Sequence, residues 1–182
     1  MILCAECYIQ RNGQTLMLYR DKKADDINQG KWVGVGGKFE AGESPEQCLV
    51  REVQEETGLT LREFRLRGLM TFVVEGVVGA ASAEAGSAVE GESAAAGELA
   101  PVGEAASDPM LIFVYTATAF EGELTPCNEG TLQWIDTDRV CDLNLWEGDK
   151  LFWEWMQQSD KLFSAHFTYS GETLTRHEVT FY

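Results

Sequence analysis

The segment from Ser44 to Gly58 carries signals for both ends of a helix. Ser44 is a favoured N-cap, Pro45 suits the first helical position, and Gln47, three residues after the cap, completes a capping box. Gly58 is a natural stop after the last turn. The sequence therefore predicts a helix over residues 45–57.

Three glutamates of this helix, Glu52, Glu55 and Glu56, fall within five residues. At about 100° per residue they share a sector roughly 100° wide. Like charges at this spacing destabilise a helix, and only Arg51 lies near enough along the chain to compensate. The sector is either a solvated acidic face or a platform for Mg²⁺, which binds few carboxylates and keeps waters and substrate phosphates as further ligands.

The glycine pair Gly36 and Gly37 precedes this helix and lets the backbone approach a ligand closely, so a peptide carbonyl is a candidate metal ligand. The formal net charge of -16 disfavours a partner such as duplex nucleic acid or an anionic membrane. It leaves a small phosphorylated molecule open, because a bound divalent cation inverts the local charge.

The remaining patterns predict an α+β fold around a mixed sheet. A turn at Asn12-Gly13 joins the first two strands. The predicted strands cover residues 3–9, 15–19, 31–35, 66–74, 110–120 and 131–135, a second helix covers 147–158, and a C-terminal hairpin covers 166–182.

Residues 75–108 differ in composition from the rest of the chain. They include no aromatic residue, Lys or Arg, and they contain seven acidic residues and six glycines. Such a segment buries too little apolar surface to offset its ordering entropy. We expect one domain over residues 1–182 with a disordered, low-complexity insertion at 75–108, for which a transient helix or a partner-binding role remains open.

The chain lacks the roughly 18-residue apolar stretch of a membrane helix. Its first residues lack the basic and apolar regions of a signal peptide, and its cysteine count is odd, so we expect a reduced, cytoplasmic protein. Cys4 and Cys7 form a C-x-x-C pair without a second pair, and we interpret them as ordinary strand residues.

Nine residues around the helix match the Nudix box G-x5-E-x7-R-E-U-x-E-E-x-G-U at every fixed position. They are Gly37, Glu43, Arg51, Glu52, Val53, Glu55, Glu56, Gly58 and Leu59. The runs GKWVGVGGK, NEGTLQWI, LWEGD and FSAHFTYSGETL extend the resemblance over nearly all of the chain outside the insertion. The sequence thus resembles the Nudix hydrolases, in particular MutT-type 8-oxo-dGTP diphosphatases.

The resemblance implies a mixed sheet packed between helices, an α/β/α sandwich, and hydrolysis of a nucleoside diphosphate linked to another group. It implies a salt bridge between Glu43 and Arg51 that stabilises the box. The implied ligands of Mg²⁺, for which Mn²⁺ is a possible substitute, are Glu52, Glu55, Glu56, Glu129 and the carbonyl of Gly37 or Gly36. Either Glu52 or Glu129 would be the catalytic base, although Glu129 could instead be a simple turn residue.

The resemblance also suggests a substrate-binding set, comprising Arg20, Gly36, Lys38, Phe72, Trp146 and Asp149. Arg20 and Lys38 could instead be surface charges, and Trp146 could instead be a core residue. Vertebrate relatives have Asn where this chain has Val33, and paired acids where it has Gly148 and Asp149. The identity of the nucleobase in the substrate is therefore open.

The implied activity is Mg²⁺-dependent hydrolysis of a nucleoside triphosphate to the monophosphate and pyrophosphate. The expected substrate is 8-oxo-dGTP or a related oxidised purine nucleotide, which would place the protein in nucleotide-pool sanitation and DNA repair. The alternatives are ADP-ribose, a dinucleoside polyphosphate or a dNTP as substrate, or a non-catalytic nucleotide sensor. The oligomeric state is open.

Overall fold

The computed structural model of the protein describes residues 1–23, 26–75 and 108–182. Its helices are α1 (Pro45–Thr57) and α2 (Glu147–Gln158), and a 3₁₀ helix covers Thr137–Asp142. The strands are β1 (Ile2–Arg11), β2 (Gln14–Tyr19), β3 (Trp32–Val33), β4 (Val35–Lys38), β5 (Thr60–Glu75), β6 (Met110–Glu121), β7 (Thr131–Asp136), β8 (Phe163–Ser170) and β9 (Thr173–Phe181).

The strands form one mixed sheet in the order β3-β2-β1-β6-β5-β8-β9, with β4 paired to β1 and β7 to β2. The β1–β6 and β5–β8 pairs are parallel, and the other pairs are antiparallel. Asn12 and Gly13 have φ values of 49° and 75°, as the type I′ turn between β1 and β2 requires. The predicted α+β fold with a mixed sheet is confirmed.

Helix α1 has the predicted bounds, and both of its ends are capped as the sequence indicates. The Ser44 side chain accepts a hydrogen bond from the backbone N–H of Gln47, and the Gln47 side chain accepts one from the backbone N–H of Ser44. Gly58 has a φ of 75°, the left-handed conformation that ends a helix. The position of the glutamates along the helix is therefore fixed by local signals.

The two helices pack against opposite faces of the sheet, each over its own hydrophobic core. On one face, Leu49 and Val53 of α1 pack with a cluster that includes Cys7 of β1. On the other face, Phe152 of α2 packs with a cluster that includes Tyr8. Since successive residues of a strand face opposite sides, the even-numbered residues of β1 lie on the α2 side.

Strand β5 is longer than predicted, because it begins at Thr60 and reaches Glu75. Residues 76–107, most of the predicted insertion, lie outside the described residues. Cys4 and Cys7 lie in β1 as expected, and both are free. Within the described part of the chain, no helix has the length and apolarity needed to span a membrane.

Candidate active site

A cavity of about 950 Å³ lies between the glycine-rich strand β4 and the end of β5. The residues from the predicted site that line it are Arg20, Gly36, Gly37, Lys38, Glu52, Phe72, Glu129, Trp146 and Asp149. Glu55 and Glu56 do not line it. Residues separated by more than a hundred positions in sequence thus come together in one cavity.

Arg51 is the hub that holds the acidic side of α1 together. Its guanidinium donates two hydrogen bonds to the carboxylate of Glu43, at 2.7 and 2.8 Å, which is the predicted pair in a fork geometry. It also donates to Glu52 at 2.8 Å and to Glu55 at 3.3 Å. The hydrogen bonds from Arg51 to Glu43 lower the pKa of Glu43 to about 2. The single cation of Arg51 therefore offsets repulsion among the neighbouring carboxylates of Glu43, Glu52 and Glu55.

Glu52, Glu55 and Glu56 of α1 occupy different environments although they share one sector of the helix. The side chain of Glu55 is 62% exposed, whereas that of Glu56 is 5% exposed. Glu56 Oε2 accepts a hydrogen bond of 2.8 Å from the backbone N–H of Gly36. Its Oε1 is buried without a hydrogen-bond partner among the described residues, and Arg20 Nη1 lies 3.6 Å away. Burial raises the pKa of Glu56 to about 8.

The side chain of Glu52 extends from α1 and lies against the glycine pair. A Cβ atom at position 37 would stand 2.5 Å from the Glu52 carboxyl oxygens, so only glycine at this position leaves them room. Burial raises the pKa of Glu52, although hydrogen bonding to Arg51 acts in the opposite direction. Glu52 is therefore a carboxyl group that lies against the backbone and faces the cavity.

Glu129 reaches the cavity from the loop before β7 and is surrounded by cations. Arg20 Nη1 lies 2.5 Å from one of its oxygens, and Lys23 contacts the other. Although burial acts to raise the pKa of Glu129, these two cations lower it overall. Arg20 also donates a hydrogen bond of 2.5 Å to Asp26, a residue that the sequence analysis missed.

The far end of the cavity has an aromatic wall. The rings of Phe72 and Trp146 meet edge to face with centroids 5.3 Å apart, and Tyr169 packs against both. The Trp146 indole donates a hydrogen bond of 2.8 Å to the side chain of Asn28. Lys31 stands 4.5 Å from the centre of the Trp146 ring, and its ammonium pairs with an exposed glutamate. The indole is thus held in one orientation, with both packing and cavity-lining roles.

Two acidic groups lie at this aromatic end, and only Asp149 was among the predicted site residues. The other, Glu6, lies in β1 on the α2 side and lines the cavity. Its Oε1 accepts hydrogen bonds from the backbone N–H of Gly34 at 2.7 Å and from the Tyr8 hydroxyl at 3.0 Å. Burial raises the pKa of both carboxyl groups and of Tyr8, and the two carboxyl groups raise the pKa of Tyr8 further. A charged residue within the apolar run ILCAECYI was the available signal for Glu6.

The NUDIX domain family matches residues 4–157 of the chain, including α1, the glycine pair and the loop of Glu129. The chain belongs to the NUDIX domain family. As a Nudix hydrolase it is an enzyme, and the strand-loop-helix unit of β4 and α1 carries the box.

Known relatives cover most of this Nudix hydrolase. An uncharacterized Nudix hydrolase of Bacillus subtilis is 26% identical over 91% of this chain and 85% of its own length. The oxidized purine nucleoside triphosphate hydrolase of Danio rerio is 28% identical over 86% of this chain and 82% of its own. The crystal structure of the mutator MutT protein from Bacillus halodurans is similar with a TM-score of 0.76 and 27% identity, covering 98% of this chain and 97% of that one.

Three of the carboxylates of this Nudix hydrolase form ion pairs with basic side chains, Glu129 with Arg20 and Lys23, and Glu52 and Glu55 with Arg51. No group of three acidic, His or Cys side chains within residues 1–23, 26–75 and 108–182 is close enough to enclose a metal. The buried, unpartnered Oε1 of Glu56 is a ligand atom in need of a partner, and Glu52 supplies further oxygen atoms nearby. A donor set made of oxygens alone fits a hard cation such as Mg²⁺.

Proposed function

We propose that this Nudix hydrolase cleaves a nucleoside triphosphate to the monophosphate and pyrophosphate in a Mg²⁺-dependent reaction. We further propose that the substrate is 8-oxo-dGTP or a related oxidised purine nucleotide. The observation that carries this proposal is the single cavity that joins Glu52, at the acidic side of α1, to the aromatic wall of Phe72 and Trp146. One end suits a polyphosphate with its cation, and the other suits a flat base.

Cavity size and similarity both support a nucleotide of this kind. A volume of about 950 Å³ falls within the range of small-molecule sites, and it leaves space for a base, a sugar and three phosphates. The relative from Danio rerio, whose name states that it hydrolyses oxidised purine nucleoside triphosphates, aligns with most of the chain. By this proposal the protein would act on a small-molecule nucleotide and contribute to sanitation of the nucleotide pool and to DNA repair.

The proposed ligands of Mg²⁺ are Glu52, Glu55, Glu56, Glu129 and the carbonyl of Gly37, with Mn²⁺ as a possible substitute. When bound, the cation would supply charge neutralisation at the phosphates and would activate a water molecule. Arg20 and Lys38 line the same part of the cavity, where their charges would contact phosphate oxygens. Arg20 currently pairs with Glu129, so a bound cation and a phosphate would each satisfy one member of this pair.

Glu52 is the better candidate for the base that accepts a proton from the attacking water. A general base works best when its pKa approaches the working pH. Burial raises the pKa of Glu52, whereas Lys23 and Arg20 leave that of Glu129 below its usual value. By this reasoning Glu129 serves as a metal ligand, and Glu43 with Arg51 braces the box.

A panel of purified substrates tests the assignment. We expect the kcat/KM for 8-oxo-dGTP with Mg²⁺ to exceed the values for dGTP, ADP-ribose and a dinucleoside polyphosphate. A higher value for ADP-ribose would refute the oxidised-purine proposal while leaving Nudix hydrolysis intact. Nucleotide binding without turnover of any compound would instead indicate a sensor.

A matched pair of variants tests the metal site. We expect Glu56→Gln to abolish pyrophosphate release, because the neutral amide removes a metal ligand but keeps the acceptor for the Gly36 N–H. Glu63→Gln, an exposed glutamate of β5, should retain full activity. Full activity in Glu56→Gln, with circular dichroism confirming the fold, would show that the metal assignment is wrong.

Two organisational expectations stay part of the proposal. One domain over residues 1–182, with an insertion at residues 75–108, is supported by the pairing of β5 with β6 across that region. A cytoplasmic location is supported by the five free cysteines. The oligomeric state is left open.

A further inference from the structure

Glu6 is a carboxyl group at a position where the fold would otherwise have an apolar side chain. It lies on the α2 side of β1 next to Tyr8, which belongs to the hydrophobic core under α2. Burying a carboxyl group is costly unless hydrogen bonds compensate for the lost water. Only one of its two oxygens, Oε1, accepts hydrogen bonds from the described residues, namely from Gly34 and Tyr8.

The backbone is shaped to hold this carboxyl group in place. A Cβ atom at position 34 would stand 2.7 Å from Cγ and 2.8 Å from Oε1 of Glu6, so the glycine is what allows the close approach. The N–H of Gly34 and the hydroxyl of Tyr8 then fix Oε1 from two directions. The Glu6 carboxyl is therefore a positioned group, and it faces the cavity.

Asp149 shares this end of the cavity and also lacks hydrogen-bond donors. In the described part of the chain, no hydrogen bond reaches its carboxyl group, although the residue is 6% exposed. The charge of Lys31 acts to lower the pKa of Asp149, but the Lys31 ammonium donates its hydrogen bond to Glu172. Two carboxyl groups with unused acceptor oxygens thus lie at one end of an aromatic-walled cavity, and an occupant with N–H donors would match them.

We propose that Glu6 is a specificity-determining residue, whose carboxyl group, held by Gly34 and Tyr8 and sharing the cavity with Asp149, accepts a hydrogen bond from the exocyclic amine of the base. The chemistry favours a guanine-type edge, which presents a ring N–H beside an exocyclic amine. Each carboxyl group keeps an acceptor oxygen in either protonation state, so the match does not depend on which one is ionised. This inference rests on the proposed nucleotide hydrolysis and names the base edge that the same site selects.

The experiment compares 8-oxo-dGTP with 8-oxo-dITP, which lacks only the exocyclic amine. We expect the wild-type kcat/KM to favour 8-oxo-dGTP by about 10- to 100-fold, since the buried acceptor oxygen of Glu6 would lose its donor in the other substrate. Glu6→Gln keeps an acceptor for Gly34 but turns an NH₂ group towards the base, and it should reduce the preference to about twofold or less. Tyr8→Phe, which removes one of the two anchors, should give an intermediate ratio.

The ratio separates a specificity role from a structural one. Loss of packing would lower kcat/KM for both substrates by the same factor and leave the ratio unchanged, and an unchanged ratio in Glu6→Gln would overturn the inference. Glu63→Gln is the matched control and should keep the wild-type ratio. Should Glu6→Gln fail to fold, the wild-type ratio still decides, because the absence of a preference for the amine would also overturn the inference.

Binding of the monophosphates separates this inference from the proposed function. Affinities of 8-oxo-dGMP and 8-oxo-dIMP, measured by calorimetry without Mg²⁺, require no turnover. A Glu6-dependent preference for 8-oxo-dGMP in a protein that hydrolyses no triphosphate would refute the proposed function and support the role of Glu6. Hydrolysis of 8-oxo-dGTP with a base preference that Glu6→Gln leaves intact would support the proposed function and refute the role of Glu6.

Discussion

Replacing Glu56 with glutamine is expected to stabilise the metal-free protein at alkaline pH. Burial raises the pKa of this carboxyl group from 4.5 to about 8 in the native state. Between these two values the native protein holds a proton that the unfolded chain has released. By linkage, the stability that depends on this proton is fully present below about pH 4.5 and is lost as the pH rises through about 8.

The size of the effect follows from the shift. At about 1.4 kcal/mol per pKa unit, ionisation of Glu56 costs the native state at most about 5 kcal/mol above pH 8. Glutamine has no charge to bury and keeps an acceptor for the Gly36 N–H. The variant should therefore match the wild type near about pH 4.5 and exceed it by on the order of 4 kcal/mol near about pH 9.

Urea unfolding followed by tryptophan fluorescence, in EDTA and across this pH range, measures the difference. Glu55→Gln is the control, because the side chain of Glu55 is 62% exposed and its carboxylate is already hydrated. It should show no comparable rise with pH. A stability difference between Glu56→Gln and the wild type that stays flat, or that falls as pH rises, would show that burial does not raise the pKa of Glu56.

Three further substitutions test single contacts. In Gly37→Ala the new methyl would stand 2.5 Å from the Glu52 carboxyl, and we expect kcat for 8-oxo-dGTP to fall at least about 100-fold with little change in Tm. In Gly148→Ala the methyl would stand 2.7 Å from the Tyr169 hydroxyl, and urea unfolding should show a loss of about 1–3 kcal/mol; an unchanged midpoint would contradict this packing. Phe72→Leu should raise KM for 8-oxo-dGTP about tenfold and leave kcat nearly unchanged. A fall in kcat alone would show that Phe72 does not contact the nucleobase of the substrate.

Helix α1 was predictable because its signals are local. Ser44 and Gly58 mark its ends through hydrogen bonds and backbone conformation that involve only neighbouring residues. The helical period also predicted one sector of the helix for Glu52, Glu55 and Glu56. It did not separate the exposed Glu55 from the buried Glu56, since that difference arises from the β4 backbone packed against one side of the helix.

Strand β5 shows where local signals fail. The predicted start of this strand, residue 66, was six residues too late, and the missed stretch contains three charged residues, Arg62, Glu63 and Arg65. The structure pairs this part with β6 and leaves the three charged residues exposed, as an antiparallel strand at the surface allows. Such pairing depends on a distant segment that the local sequence does not reveal.

The base end of the site depended on long-range packing in the same way. The resemblance to Nudix hydrolases indicated Trp146 and Asp149, but it gave no reason to consider Glu6. Its role follows from the pairing of β1 with β4, which brings the carboxyl group against Gly34. Sequence alone showed only an acid in an apolar strand.

The identity of the products formed from 8-oxo-dGTP tests whether the enzyme hydrolyses this triphosphate to the monophosphate with Mg²⁺. Wild-type protein would be incubated with this substrate in Mg²⁺ and, separately, in EDTA, and the products resolved by ³¹P NMR. We expect 8-oxo-dGMP and pyrophosphate in Mg²⁺ and unchanged substrate in EDTA. Formation of the diphosphate with inorganic phosphate, or equal turnover in EDTA, would contradict it.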